Sequence, residues 1–276
     1  GIQPMSQLYL DEHRLLDNMP VYRSRIDTAN AALETGAPLE LDEFFMHYTE
    51  SPAIESAMEF LDGCLGILDI GCGFGASLIW MAQRSEDVRV FAGVDLLPAN
   101  VQIARGLSRR LLVDDYRLSF FGADACGLDP VSLGDGCGVD EVDGILCLNV
   151  LMHLTEAQRR SLWAFIGQVL TVAGRIYIED VYRLRAPDDD EAVLLRERLA
   201  CPWLPDKETF IGELTEQLGD VVVIPDELSL AYAMHAEKCY QSYDGADEAR
   251  REYLRAKSVL LGDGTLGAMR VRVERE

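Results

Sequence analysis

The chain has 276 residues, of which 49% are hydrophobic and 26% are charged. This ordinary globular composition supports a sizeable core and excludes a mostly disordered chain, a collagen and a coiled coil. The 47 acidic and 25 basic residues give a net charge of −22, which disfavours nucleic acid and anionic membrane surfaces as partners.

The cysteines and the hydropathy pattern predict a cytoplasmic protein. Seven cysteines are scattered along the chain without a CxxC pair, and several lie inside apolar runs. This usage is typical of reduced cysteines that serve as small core residues. No stretch approaches the ~20 apolar residues of a membrane span.

Residues 5–60 are helix-like and rich in aromatic side chains, and we interpret them as a helical amino-terminal lid. Residues 61–276 form the predicted core, in which short apolar runs alternate with amphipathic segments. The predicted strands are GILDIG (66–71), VRVFAGVD (88–95), RLSFFGAD (117–124), VDGILCLN (142–149), GRIYIED (174–180) and VVVIPDE (221–227).

The order of these segments predicts an α/β fold. Solid apolar runs are typical of parallel strands that are covered on both faces, and segments 98–112 and 156–170 are predicted helices between them. Two further segments, at about 183–206 and 228–262, are interpreted as lid insertions. The final residues MRVRVERE alternate polar and apolar side chains, which predicts an exposed, hairpin-like last strand.

A glycine-rich loop follows the first predicted strand and contains Asp69, Gly71, Gly73 and Gly75. Glycines allow the backbone to approach a ligand closely, and the helix that follows offers free N–H groups at its start. Asp95 closes the second predicted strand, 20 residues after Gly75, where an acid can bind both hydroxyls of a ribose. This pattern fits a dinucleotide as well as other adenosine cofactors.

Four segments together are more specific. LDIGCGFG, VDLLPANV, GADA and DGILCLNVLMHL, in this order and spacing, resemble class I S-adenosylmethionine-dependent methyltransferases over about residues 60–185. The resemblance implies a Rossmann-like, seven-stranded, mostly parallel sheet with a reversed last strand. A nicotinamide dehydrogenase accounts neither for the acid of GADA nor for a reversed last strand.

The resemblance also implies a set of cofactor contacts. The glycine loop lies against the amino-acid part of S-adenosylmethionine, Asp95 holds the ribose, Asp124 lies at the adenine amino group, and Asn149 borders the methionine end. The complete set of candidate contacts is Asp69, Gly71, Gly73, Gly75, Asp95, Leu96, Asp124, Ala125, Asn149, Tyr48 and Ser51.

Two residues are candidates for proton transfer. A hydroxyl that accepts a methyl group must lose its proton, and a histidine suits this task near neutral pH. His153 follows the fourth predicted strand, at the carboxyl edge where open α/β sheets bind ligands. Glu179 ends the fifth strand, so we expect it to lie beside His153 and orient the imidazole. NVLMH…YIED is similar to the histidine–glutamate pair of polyketide-synthase methyltransferase domains. A packing histidine and a loop-capping acid are the alternatives.

A lid tyrosine is a third candidate. His153 is also similar to the histidine of phosphoethanolamine methyltransferases, in which a tyrosine of the amino-terminal lid pairs with it. Tyr48 and Ser51 match the tyrosine–serine stretch of that lid, although the residues beside Ser51 depart from the family. Beyond the fifth predicted strand, Tyr182, Arg183 and Arg185 are interpreted either as holding an anionic group of the acceptor or as part of a solvated loop.

These residues predict S-adenosylmethionine-dependent O-methylation of a small-molecule acceptor, free or carrier-tethered, with His153 as general base, Glu179 as its orienting group, Tyr48 as a further catalytic candidate and S-adenosylhomocysteine as product. N-methylation of a small amine or phospho-amine, C-methylation of an activated carbon acid and a non-catalytic cofactor-binding scaffold remain alternatives. No histidine or cysteine spacing predicts a metal site. The acceptor and the oligomeric state are left open.

Overall fold

A computed structural model describes residues 19–112 and 115–276. Within these ranges the strands are β1 (Gly66–Ile70), β2 (Val90–Asp95), β3 (Leu118–Gly122), β4 (Val142–Leu148), β5 (Leu170–Arg183), β6 (Val221–Glu227) and β7 (Leu266–Arg275). The helices are α1 (Pro20–Glu34), α2 (Ser51–Phe60), α3 (Ala76–Ala82), α4 (Pro98–Leu111), α5 (Pro130–Cys137), α6 (Glu156–Val169), α7 (Asp189–Glu197), α8 (Lys207–Leu218), α9 (Ser229–Ser242) and α10 (Glu248–Gly262). Short 3₁₀ turns lie at Leu41–Phe44, Ala125–Gly127 and Leu151–His153.

The strands form one sheet in the order β3-β2-β1-β4-β5-β7-β6. Strands β1 to β5 pair in parallel, whereas β7 is antiparallel to both β5 and β6. The predicted α/β sheet with a reversed last strand is therefore confirmed. The strand order reverses between β1 and β4: strands β2 and β3 are added on one side of β1, and β4 and β5 on the other. Such a switch point opens a crevice at the carboxyl ends of these two strands.

The position of β7 differs from the prediction of an exposed last strand. It is inserted between β5 and β6, and both of its edges are hydrogen-bonded. Helices α9 and α10 pack against it, so Leu266, Ala268, Met269 and Val271 are buried. The alternating pattern of MRVRVERE describes only the outer half of the strand, because the inner half is covered on both faces.

Apolar clusters lie on both faces of the sheet. One cluster joins the first four helices to the sheet, with Phe91 and Ile67 among its buried residues. The other cluster joins the sheet to the helices from α5 onward, with Trp163 and Phe210 at its centre. Helix α1 packs against α4 and α10, so the described part of the predicted lid lies on the core. Residues 5–18 of that lid lie outside the described residues, and its function as a lid stays a prediction.

The two predicted insertions contain ordered elements. Strand β5 extends to Arg183, and α7 begins after Asp188, whose side chain accepts a hydrogen bond from Glu191 N. Residues 228–262 form α9 and α10, which pack against each other. All seven cysteines are free thiols. In the described parts of the chain, no helix is long and apolar enough to cross a membrane.

Candidate active site

A cavity of ≈ 190 Å³ opens at the carboxyl ends of β1, β2 and β4. Ten of the residues predicted from the sequence line it, which are Tyr48, Asp69, Gly71, Gly73, Asp95, Leu96, Asp124, Ala125, Asn149 and His153. Three predicted residues, Ser51, Gly75 and Glu179, are not part of its wall. We call this space the crevice cavity.

The glycine loop is held by its own backbone. The N–H groups of Gly71 and Cys72 donate to Val94 O at 2.8 and 2.9 Å, which joins the loop to β2. Gly73 has a φ of +54°, and a Cβ atom there would lie 2.9 Å from Met46 Sδ. A side chain at this position would therefore be strained and would press on Met46, which lines the crevice cavity.

Gly75 has a packing role instead. It caps α3 in the left-handed conformation, with a φ of +76°. A Cβ atom there would lie 2.7 Å from the Phe120 ring and 2.9 Å from Ala104 Cβ. Gly75 thus allows the start of α3 to approach β3 and α4, and it does so behind the loop rather than in the wall of the cavity.

Asp95 fastens the end of β2 to the glycine loop. Its Oδ2 accepts from Gly73 N at 2.9 Å, and its Oδ1 accepts from Leu97 N at 2.9 Å and from Asn100 Nδ2 at 3.0 Å. Burial raises the pKa of the carboxyl, and these hydrogen bonds oppose that rise. Because Oδ2 accepts one bond among the described residues, it keeps a lone pair for a hydroxyl in the cavity.

Asp69 is a buried acid whose side chain has no partner in the described chain. It is 3% exposed, lines the crevice cavity, and its carboxyl takes part in no hydrogen bond or ion pair within the described ranges. Burial and the nearby charge of Asp95 raise its pKa well above the ordinary value. An acid held in this way favours a cationic ligand group, which would supply the missing partner.

At the far end of the crevice cavity, Asp124 follows β3. Its Oδ1 accepts from Cys126 N at 3.0 Å and thereby caps the short turn Ala125–Gly127. This cap fixes the carboxylate and Ala125 in the wall of the cavity, and Leu96 lies in the same wall. One carboxylate oxygen and adjacent apolar surface suit a planar ring that bears an amino group.

Asn149 joins the end of β4 to the segment that closes the cavity. It adopts a φ of +55°, its N–H donates to Glu179 O at 2.8 Å, and its Oδ1 accepts from Tyr48 N at 2.8 Å. The Tyr48 ring is buried and packs against Tyr232 at 6.0 Å between centroids. The left-handed backbone of Asn149 therefore aims its amide across the crevice and positions Tyr48.

His153 is held by a backbone carbonyl. Its Nδ1 lies 2.9 Å from Ala200 O, and Ala200 itself has a φ of +55°. Because a carbonyl only accepts, Nδ1 carries the proton and Nε2 is left with a free lone pair in the neutral ring. Burial lowers the pKa of His153, and the bond to Ala200 only partly opposes this. The ring is therefore neutral near pH 7 and able to accept a proton.

Asp180 supports the turn that carries His153. Its Oδ2 accepts from Leu151 N at 2.8 Å, and its Oδ1 accepts from Val181 N at 2.9 Å. The residue is fully buried, and this burial raises its pKa to about 7 against the effect of the backbone bonds. The acid that steadies the histidine turn after β4 is thus Asp180 of β5, which acts on the backbone.

The expected contact between Glu179 and His153 is absent, so this part of the prediction is wrong. Glu179 accepts from Tyr177 OH, from Tyr232 OH at 3.1 Å and from Thr49 Oγ1 at 3.3 Å. Successive side chains of a strand point to opposite faces, so only one of Glu179 and Asp180 reaches the turn after β4. Asp180 takes that place, and Glu179 lies behind the lid segment.

The interpretation that Tyr182, which lies within β5, and Arg185 hold an anionic group is also wrong, because carboxylates of the chain bind both side chains. Tyr182 donates to Glu227 at 2.8 Å, and Arg185 donates to Glu191 at 2.6 and 2.8 Å. Neither residue lines the crevice cavity. Two residues that no sequence pattern singled out, Arg25 of α1 and Tyr253 of α10, do line it. Only the packing of these helices shows that they reach the site.

Comparison with known proteins gives a family match for the centre of the chain. Residues 67–174 match the family model described as a methyltransferase domain. A curated relative, methyltransferase GfsG of Streptomyces halstedii, is 28% identical over 145 residues, which is 52% of this chain. The match covers 48% of that relative, so the chain spans about half the length of the curated protein.

Solved structures with the same fold catalyse different reactions. Geranyl diphosphate C-methyltransferase from Streptomyces coelicolor A3(2) is 16% identical with a TM-score of 0.66, over 82% of this chain and 78% of that one. Haemonchus contortus phosphoethanolamine N-methyltransferase 2 has the same identity and TM-score, over 84% and 54% of the two chains. The [4+2]-cyclase SpnF is 16% identical with a TM-score of 0.59, over 81% and 80%. At this identity the likeness establishes the fold.

Proposed function

We propose that this chain transfers the methyl group of S-adenosylmethionine to a hydroxyl of a small-molecule acceptor. The match of residues 67–174 to the methyltransferase domain model gives the reaction class. One observation supports the proposal above the others. The predicted cofactor contacts and His153 come from separate parts of the chain and meet in one cavity at the switch point of the sheet.

The side chains of the crevice cavity fit the parts of the cofactor. Asp69, an acid with no partner in the described chain, suits the ammonium group, and the loop from Gly71 to Gly73 lies beside it. Asp95 keeps an acceptor that would hold the ribose hydroxyls, and Asp124 in the same wall would accept from the adenine amino group. We propose the same residues as the binding site of the product, S-adenosylhomocysteine.

In the proposed reaction the bound cofactor supplies an electrophilic methyl group on a sulfonium. His153 accepts the hydroxyl proton at Nε2, while Ala200 O holds the N–H at Nδ1. Loss of the proton to His153 would leave the acceptor oxygen able to take the methyl group, and the sulfonium would become the thioether of S-adenosylhomocysteine. Tyr48 and the segment before it line the cavity, and we expect them to exclude water from the bound acceptor, which favours alignment of the oxygen behind the methyl carbon.

The first experiment is calorimetric titration of the purified chain with S-adenosylmethionine, S-adenosylhomocysteine and NAD. We expect both sulfur compounds to bind at micromolar levels and NAD to give no response. Binding of NAD alone would overturn the proposal and indicate a dehydrogenase. Binding of the sulfur compounds without turnover on any hydroxyl, amine or carbon-acid acceptor would instead favour a cofactor-binding scaffold.

A further inference from the structure

A second cavity, of ≈ 250 Å³, lies beside the crevice cavity. The two share a wall that is formed by residues 45–48 together with Arg25 and Tyr253. The other side of the second cavity is formed by α9 and α10, through His235, Arg250 and Lys257. Burial lowers the pKa of His235, so the cations of the wall are Arg25, Arg250 and Lys257, after which we call it the cationic cavity.

Lys257 is the most unusual residue of the cationic cavity. It is 6% exposed, and its Nζ lies 4.2 Å from the centroid of the Tyr48 ring and 5.5 Å from that of Tyr253. In the described chain its ammonium has no hydrogen-bond or carboxylate partner. Burying a charge without such a partner is costly, so a buried ammonium in this state indicates a missing ligand.

The neighbouring basic side chains are similarly without acidic partners. Arg25 donates to Phe45 O at 2.5 Å, and Arg250 lies 5.6 Å from the Tyr243 ring centroid. Within the described ranges neither guanidinium is within 4 Å of a carboxylate. Both ring nitrogens of His47 are buried without a partner. Burial, Arg25 and Lys257 lower the pKa of His47 to about 3, so it is neutral and adds no charge.

The carboxylates around this cavity lie at its rim and form no ion pair with Arg25 or Lys257 within the described ranges, although the charge of Glu50 acts on both cations. Asp42, Glu43, Glu50 and Asp244 also line it, but all four are exposed to solvent at its rim. A surface with a net charge of −22 offers many carboxylates that could pair with a buried lysine. The arrangement instead leaves positive charge in the interior of the cavity and negative charge outside it.

We propose that the cationic cavity binds an anionic oxygen group, a phosphate or a carboxylate, that belongs to the methyl acceptor, with Lys257 and Arg25 as its ligands. The rest of the acceptor then passes Tyr48 into the crevice cavity toward His153, because the two cavities share that wall. The claim that this anionic group belongs to the methyl acceptor rests on the proposed function, whereas the anion site itself does not. An ammonium and a guanidinium bind phosphates and carboxylates strongly, through charge-assisted hydrogen bonds.

The test uses the full chain and three probes in separate calorimetric titrations, which are inorganic phosphate, acetate and S-adenosylhomocysteine. We expect phosphate or acetate to bind the wild type. Lys257→Met should weaken that binding at least about tenfold and leave S-adenosylhomocysteine affinity within about twofold. The matched control is Lys238→Met on α9, an exposed lysine outside both cavities, which should bind the anion like the wild type.

The outcomes separate the inference from the proposed function. If S-adenosylhomocysteine binds but neither anion does, or if Lys257→Met binds the anion as well as the wild type, the inference is overturned. If the anion binds through Lys257 and S-adenosylhomocysteine does not bind, the anion site stands and the methyltransferase proposal fails. Circular dichroism checks folding. Should Lys257→Met not fold, Arg25→Met is expected to weaken anion binding at least about tenfold, and because Arg25 also lines the crevice cavity its S-adenosylhomocysteine affinity is not the readout. A response to phosphate alone or to acetate alone identifies the class of acceptor.

Discussion

At the scale of single residues, the histidine of the crevice cavity is oriented by main chain rather than by a second side chain. Ala200 adopts a left-handed φ of +55°, which an alanine takes only at some energetic cost. Its carbonyl is thereby brought to 2.9 Å from His153 Nδ1. A backbone carbonyl fixes the tautomer as a carboxylate would, but it does not stabilise the charged imidazolium to the same extent.

Replacement of His153 by alanine tests its role as the base. We expect turnover on a hydroxyl acceptor to fall by ~10²-fold or more, because no other neutral base in the cavity is held in the same way. S-adenosylhomocysteine affinity, measured by calorimetry, should stay within about twofold because Asp95 and the glycine loop are untouched. Unchanged turnover in the His153→Ala protein would show that His153 is not the base.

Asp69 gives a pH-dependent prediction. Burial raises its pKa in the free protein, and a cationic cofactor lowers it again because the cofactor stabilises the carboxylate. Protonation of Asp69 therefore competes with binding, so S-adenosylmethionine affinity should fall as the pH is lowered. Asp69→Asn should weaken binding about tenfold at pH 8 and flatten this dependence. Calorimetry from pH 6 to pH 9 checks it. The exposed Glu55→Gln on α2 is the control, and an equal pH slope in Asp69→Asn would contradict the assignment.

At the scale of elements, the turn Leu151–His153 depends on Asp180. The folded pKa of Asp180 is about 7, above its ordinary value of 3.8, because the side chain is buried. The folded state therefore holds a proton that the unfolded chain releases, and the resulting stability is present below pH 4 and lost as the pH rises through 7. The elements that surround the site thus become less stable toward alkaline pH.

Asp180→Asn removes this titration. Between pH 5 and pH 8 we expect the wild-type free energy of unfolding to lose about 2 kcal/mol from this group, and the variant to lose correspondingly less. Urea unfolding at both pH values measures the difference between the two slopes. The absolute stability of the variant should also fall, since its amide meets two N–H donors with one acceptor oxygen. Parallel slopes for the two proteins would show that Asp180 is already charged at pH 5.

The strands were predictable because buried parallel strands are continuous apolar runs. All six internal runs became strands, and the predicted helices 98–112 and 156–170 became α4 and α6. The place of β7 was not predictable in the same way. Its pairing with β5 and β6 joins residues that are far apart in sequence, and an alternating pattern does not distinguish an edge strand from a half-covered internal one.

At the scale of the whole molecule, the carboxyl edge of the sheet was predictable and its cover was not. Strand ends fix Asp69, Asp95 and Asn149 by sequence position alone, because parallel strands bring their ends to one edge. Lys257 and Arg25 come from α10 and α1, 232 positions apart, and no local pattern marks them. The match of residues 67–174 to a family model described as a methyltransferase domain agrees with the predicted family.

The net charge of −22 gives the last prediction, which compares the two forms of the cofactor. S-adenosylmethionine carries one more positive charge than S-adenosylhomocysteine, at the sulfonium, and differs from it otherwise by one methyl group. An acidic protein with Asp69 and Asp95 in the cavity attracts that extra charge, and salt screens the attraction. Raising NaCl from about 20 to about 500 mM should therefore weaken S-adenosylmethionine binding severalfold and change S-adenosylhomocysteine binding much less. Calorimetry at both salt concentrations checks this. An equal loss for both compounds would show that salt acts on the fold or on the shared carboxylate and ammonium groups, and not on the field of the protein at the sulfonium.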